Sequence, residues 1–462
     1  MEFSRWKNLS IVLLAVAVLT TGAYFVVQSK EFFVLEEIDE QIQKTNEQVQ
    51  NTEKQSNVLP ANDNSQKQEE EVPELPTITP QLPPQKLSNP PEIIKAVYVT
   101  GYSAGVKSYI NYLTDIFQTT EINAVVIDIK GSSGYISYAS NVKEAKEYNL
   151  SSNAISDIDS LIRFLHDKNI YVIGRIAVFE DPLYSKARPD IAVYEKVPTV
   201  NPSKILDGEA IGKKILWRDN NGLSWLDPAS TDVWDYNISI AKEALNNHGF
   251  DEINFDYIRF PSDGNMENLD FPVWDQKIPK HEIIKEFFRY TRAQLQGEKI
   301  SADLFGQTTI NKDDMGIGQV IEDALENFDY ISPMVYPSHY INGFIGFQNP
   351  TDHPYEVVKY SMENAVSRKS AYLEVKENAV LQNSEASGTP AEIAQQALSS
   401  DVFKLAKFRP WLQDFNMGAI YNAEMVKQEI TATQDALGEE YVGYMLWNPS
   451  NVYTKGAIEL AK

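Results

Sequence analysis

From Lys95 onward, short β-type runs alternate with longer helical stretches, and nothing else in the sequence constrains the fold as tightly. Such alternation builds parallel sheets whose faces are covered by helices. Eight runs are present, at 96–100, 123–129, 170–179, 251–256, 299–304, 329–336, 408–413 and 442–447. Eight parallel strands are what a closed barrel requires. Helices are expected at 155–166, 232–247, 281–295 and 355–366. The helix after Trp225 opens on Asp227-Pro228-Ala229-Ser230, where Asp227 or Ser230 can cap its N-terminus. The predicted fold is therefore α/β, a (β/α)8 TIM barrel over residues 92–462. A doubly wound open sheet is the alternative, but Gly101-Tyr102-Ser103-Ala104-Gly105 lacks the spacing of a phosphate-binding glycine loop. Two connections, 180–226 and 371–390, exceed what a barrel needs, and loops of that length are usually lids or binding loops. Trp217, Asp219 and Trp225 either shape a binding rim on the first of them or pack it onto the barrel.

The barrel is preceded by two segments of different character. Residues 11–27 are 17 uncharged, mostly apolar positions, with Arg5 and Lys7 before them and Lys30 after. Their length suits a short membrane helix, and the basic N-terminal flank predicts a cytoplasmic N-terminus with the rest exported. A cleaved signal peptide, cut near Thr21-Gly22-Ala23, is the competing reading, and a buried core helix fits the flanks poorly. Residues 31–55 favour a stalk helix. Residues 57–91 are rich in Gln, Asn, Glu and Pro, a composition that cannot bury a core and predicts a disordered, extended linker. The expected location is the cell membrane with the barrel outside the cytoplasm, or secretion if the N-terminal segment is cleaved.

Charge and residue usage exclude several functions. The net charge is −24, of which −18 lies beyond residue 95. So acidic a domain is repelled by phosphate backbones, which argues against nucleic acid. The absence of cysteine removes disulfides, thiolate metal sites and cysteine nucleophiles. No histidine pair has metal-ligand spacing, and there is neither a nucleophile elbow nor a P-loop, so no metal or cofactor is expected.

The chemistry concentrates at strand ends. Gly249-Phe250-Asp251-Glu252-Ile253-Asn254-Phe255-Asp256 ends in a carboxylate at the carboxyl end of the fourth run, where barrel enzymes carry reactive groups. Alternation puts Asn254 and Asp256 on one face and Ile253 and Phe255 on the other. The fifth run, Ile300-Ser301-Ala302-Asp303-Leu304, repeats that parity with Asp303. Neighbouring strands lie ~4.8 Å apart, so carboxyl groups at equal heights can reach the ~5–9 Å separation that two-carboxylate chemistry uses. Arg175 and Arg259 are candidates either to partner these acids or to contact a ligand.

Trp225-Leu226-Asp227-Pro228, the 250–261 segment, Ser332-Pro333-Met334-Val335-Tyr336-Pro337, Arg409-Pro410-Trp411-Leu412-Gln413-Asp414-Phe415 and Gly443-Tyr444-Met445-Leu446-Trp447-Asn448 occur in order. Together they resemble a bacterial extracytoplasmic family named for glycoside hydrolysis, a domain of unknown function with a predicted barrel related to the α-amylase-like enzymes. The resemblance implies Asp256 as nucleophile or base and Asp303 as acid. Because the amylase-like acid is usually glutamate, Glu180, Asp181 and Asp414 are held in reserve. Tyr98, Tyr102, Asp128, Lys130, Arg175, Arg259, Tyr336, His339, Trp411, Gln413, Trp447 and Asn448 are candidate substrate contacts, with Asp128 and Lys130 expected on one face of the second run. Aromatic faces with a few oriented polar groups suit a carbohydrate site. The expected activity is hydrolysis of a polysaccharide, and the alternative is a carbohydrate-binding surface protein without turnover.

Overall fold

The computed structural model describes residues 83–196, 215–385 and 404–460, with side chains of the helix that ends at Glu385 described to residue 379. The expected membrane segment, stalk and most of the linker lie outside the described residues. Among those described, no helix is long and apolar enough to cross a membrane.

Eight parallel staves close into a barrel: β1 (Ile94–Val99), β2 (Ala124–Lys130), β3 (Tyr171–Ala177), β4 (Glu252–Asp256), β5 (Ile300–Phe305), β6 (Tyr330–Met334), β7 and β8 (Gly443–Trp447). Each pairs with its successor, and β8 returns to β1 with Ile94 opposite Gly443. The seventh stave is split into Lys407–Phe408 and Trp411–Gln413 by Arg409-Pro410, since proline brings no ladder N–H. Both pieces pair with β6, and the second also pairs with β8. The closing seam is tight. A Cβ on Gly443, whose φ is +110°, would sit 1.7 Å from the carbonyl oxygen of Ile94.

Alternation along the staves divides the core. Ala96, Tyr98, Val126, Ile173 and Met445 fill the barrel interior, whereas Val97, Val125, Ile253, Phe255 and Ala302 pack outward against helices. Phe255, fully buried, meets Phe287 of helix Lys280–Gln294 edge to face at 6.4 Å, and burying such a ring contributes about 1.5–3 kcal/mol. Helix Ile158–His166 buries Ile158, Leu161, Ile162 and Leu165, the spacing of one helical face, and Asp157 caps it by accepting from Ser160 N at 2.9 Å.

Two sequence expectations need correction, and the open alternative for Trp217 and Trp225 is decided. Asp128 faces Arg175 in the register, but a bulge follows, so that Lys130 lies opposite Ile176 and leaves the interior. Lys130 instead forms a fully buried ion pair with Asp181 at 2.7 Å. Residues 371–385 continue the helix Pro354–Glu385 and form no loop there. Trp217 and Trp225 are buried, donating through Nε1 to the Asn265 carbonyl and to Asp219 at 3.0 Å each, so they pack the long connection onto the barrel.

Candidate active site

At the carboxyl ends of β4 and β5, matched register brings two carboxyl groups level. Asn254 lies opposite Ser301 and Phe255 opposite Ala302, which sets Asp256 beside Asp303 one step further on. Beyond Asp256 the chain turns at once: Tyr257 takes a left-handed φ of +52°, costly for a non-glycine residue, and its N–H donates to Asp256 Oδ1 at 2.6 Å. The strained turn fixes the carboxylate and brings Tyr257 to the same cavity.

Arg175, from β3, organises the acids. It donates from Nε and Nη2 to Asp256 Oδ2 at 3.1 and 2.5 Å, and from Nη1 to Asp128 Oδ1 at 2.6 Å. Tyr98 completes the chain by donating its hydroxyl to Asp128 Oδ2 at 2.6 Å. The guanidinium rests against the Trp447 and Tyr98 rings at 5.1 and 5.6 Å, and those rings stack on each other at 3.9 Å. Arg175 Nε is 3.1 Å from Asp256 Oδ2 and 3.9 Å from Asp303 Oδ2, which places the two oxygens within about 7 Å of each other. That bound admits the ~5–5.5 Å spacing of retaining enzymes and the lower end of the ~6.5–9.5 Å spacing of inverting ones.

Asp303 is held differently. Its Oδ1 accepts from Asn254 Nδ2 at 2.7 Å and Trp411 Nε1 at 2.8 Å, while its buried Oδ2 has no hydrogen-bond partner. Burial, reinforced by the charge of Asp256, pushes the Asp303 carboxyl well above the usual carboxylate range, against the opposing pull of Arg175, Asn254 and Trp411. The proton then belongs on Oδ2, since Oδ1 already accepts two bonds. Two neighbouring carboxyl groups, one gripped by an arginine and one whose pKa is raised by burial, form the pattern of an acid paired with a nucleophile or base.

Both carboxyl groups line one cavity of about 340 Å³, within the range of small-molecule pockets. Arg175, Arg259, Tyr336, His339, Trp411 and Trp447 share its wall, together with Tyr257, Phe305, Gly306, Gln307, Met334 and Tyr340, which the sequence reading did not single out. Phe305 was within reach of it, being two residues beyond Asp303 on the same face. Burial lowers the pKa of His339, keeping its ring neutral, and Ser338 Oγ lies 3.0 Å from its Nδ1.

The remaining candidates stand elsewhere. Tyr98 and Asp128 brace Arg175 from behind, Tyr102 is an exposed side chain away from the cavity wall, and Lys130 and Asp181 neutralise each other outside the barrel. Asp181 also caps helix Pro182–Ala187, accepting from Tyr184 N at 2.8 Å. Gln413 ties two loops together, accepting from Ser338 N at 3.2 Å and donating to the Phe415 carbonyl at 3.0 Å. Asn448 donates to the backbone carbonyls of Asp414 and Val452. Asp414 accepts from the Thr454 amide and hydroxyl at 2.8 and 2.6 Å, and burial pushes it up to about 6. Glu180 is buried beneath the long connection and pushed up to about 9 by burial and then by Asp219. None of the three reserve acids lines the cavity. Among the described residues, no group of three or more His, Asp or Glu side chains is placed to hold a metal.

Solved structures with related folds include a hypothetical protein from Ruminiclostridium thermocellum, 39% identical, with a TM-score of 0.39, covering 48% of this chain and 98% of that one. The PgaB (BpsB) glycoside hydrolase domain of Bordetella bronchiseptica is 13% identical over 80% of this chain and 100% of its own, with a TM-score of 0.45. The α-galactosidase of Thermus thermophilus is 12% identical over 81% of this chain and 61% of its own, at 0.41. At such scores none of these likenesses bears on activity. No curated protein is detectably similar in sequence. The family model described as "Putative glycosyl hydrolase domain" matches residues 96–453, from the first stave past the last, and the chain belongs to that glycosyl hydrolase family.

Proposed function

We propose that this protein hydrolyses O-glycosidic bonds of a polysaccharide, such as one of the producing cell's own envelope, using Asp303 as acid and Asp256 as nucleophile or base. The observation that carries the reading is the shared cavity: two level carboxyl groups, bridged by Arg175, one of them pushed toward its neutral form by burial. In the reaction Asp303 Oδ2 gives its proton to the glycosidic oxygen as the bond to the anomeric carbon breaks. Asp256 either bonds to that carbon or takes a proton from the attacking water. Arg175 supplies a fixed countercharge, and Trp411, Trp447 and Tyr336 offer ring faces and polar edges to a sugar. Residues 11–27 hold the barrel at the outer face of the membrane in this account, a placement supported by the basic flank of Arg5 and Lys7 and by the polar spacer that follows.

The test is release of reducing ends from a panel of polysaccharides by the purified full chain, compared with Asp256→Asn and Asp303→Asn. Loss of release in each variant with glycan binding retained supports the reading. Binding without release in every form, wild type included, supports a carbohydrate-binding protein instead.

A further inference from the structure

We propose that the cavity contains an anion subsite formed by Arg259 and therefore takes a glycan whose sugar carries an oxyanion, either a uronate carboxylate or a phosphate ester. The site rests on the glycan reading for the sugar, but not on turnover. Arg259 is 6% exposed and lines the cavity, yet no carboxylate lies within 4.0 Å of it among the described residues. A buried guanidinium without a counterion is costly, and a bound anion removes that cost. Its nearest polar contacts are neutral: Nη1 donates to Ser262 Oγ at 2.9 Å and to the Phe260 carbonyl at 3.2 Å. Three rings, Trp225 and Phe305 at 4.7 Å and Tyr257 at 5.3 Å, surround the guanidinium. A guanidinium held in this way is organised for planar, forked recognition of a carboxylate or phosphate.

The contrast with Arg175 sharpens the assignment. Arg175 spends its donors on Asp128 and Asp256 and leaves little for a ligand. Arg259 has no such commitment. Glu180 interacts with Arg259, but burial and Asp219 push it up to about 9, so it keeps its proton near neutral pH and offers no full countercharge.

Titration calorimetry of the full chain in the Asp303→Asn background, where turnover is slowed, tests the site with three probes of similar size. These are a glucuronate-containing oligosaccharide, a phosphorylated oligosaccharide and a neutral oligosaccharide, each at ~0.15 M salt so that the overall negative charge is screened. At least one anionic probe is expected to bind about tenfold tighter than the neutral one or better, and whichever does so identifies the oxyanion. Arg259→Gln is expected to bring that ratio close to one, and Arg259→Lys, which keeps the charge without the fork, to fall between. Equal affinity for neutral and anionic probes with Arg259 intact overturns the proposal, whether or not the Gln variant folds. An unchanged ratio in a folded Arg259→Gln overturns it too. Anion preference without hydrolysis by the wild type would leave the subsite standing and reject the hydrolase reading, while hydrolysis without anion preference would do the reverse.

Discussion

Asp303 and Asp256 differ in what surrounds them more than in what they are. Asp256 accepts N–H donors on both oxygens, whereas Asp303 is buried with one oxygen bare. The proposed roles predict different sensitivities to the leaving group. Asp303→Asn should slow cleavage of a native glycan by about 10²–10⁴-fold, the usual worth of a general acid, but spare much of the rate on a nitrophenyl glycoside, whose leaving group needs no proton. Asp256→Asn should slow both, and a rate comparison on the two substrates checks the difference. Since Asp303 must carry its proton, wild-type activity is expected to decline as pH rises through its elevated pKa, and that limb should vanish from the pH–rate profile of Asp303→Asn. Glu180 makes a separate prediction for stability. Its carboxyl titrates at about 9 in the folded protein and at an ordinary 4.5 when unfolded, so between those values the native state binds more protons. Stability contributed by this group is present below pH 4.5 and is lost as pH rises through 9. Glu180→Gln should therefore lower the pH dependence of the melting temperature between pH 6 and 9, measured by calorimetry.

At the scale of elements, the barrel depends on closure between β8 and β1. Gly443→Ala would place a methyl group against the Ile94 carbonyl at a φ that L residues rarely adopt, and should destabilise the protein by about 3 kcal/mol or more in a denaturant titration. The eight runs matched the staves to within about two residues because parallel strands buried on both faces leave near-continuous apolar stretches, such as Ala-Val-Val-Ile in β2. The parity that put Asp256 and Asp303 inward follows from strict alternation, and it held where the strands are regular. It failed at Lys130, because a bulge is a tertiary adjustment with no local signature in that run. Tyr257 was missed for a similar reason: its left-handed turn is imposed by the strand end, not by its residue type. The fate of Trp217 and Trp225 was also illegible, since a tryptophan that packs a loop and one that greets a ligand look alike until burial is known.

For the whole molecule, the proposed arrangement is a barrel outside the cytoplasm, tethered by residues 11–27 through a proline-rich spacer. Protease treatment of intact cells is expected to remove the barrel while leaving the N-terminal segment in the membrane fraction, and protection of the barrel would contradict the orientation. At the centre of the molecule two carboxyl groups cooperate in a single cavity. Groups that act as a unit lose activity in a strongly non-additive way. The most direct measurement is a double-mutant cycle on release of reducing ends from a cleavable polysaccharide, using Asp256→Asn, Asp303→Asn and the pair. Each single variant is expected to lose at least about 10²-fold, and the double variant to be little worse than the poorer single. Full activity in either single variant would contradict it.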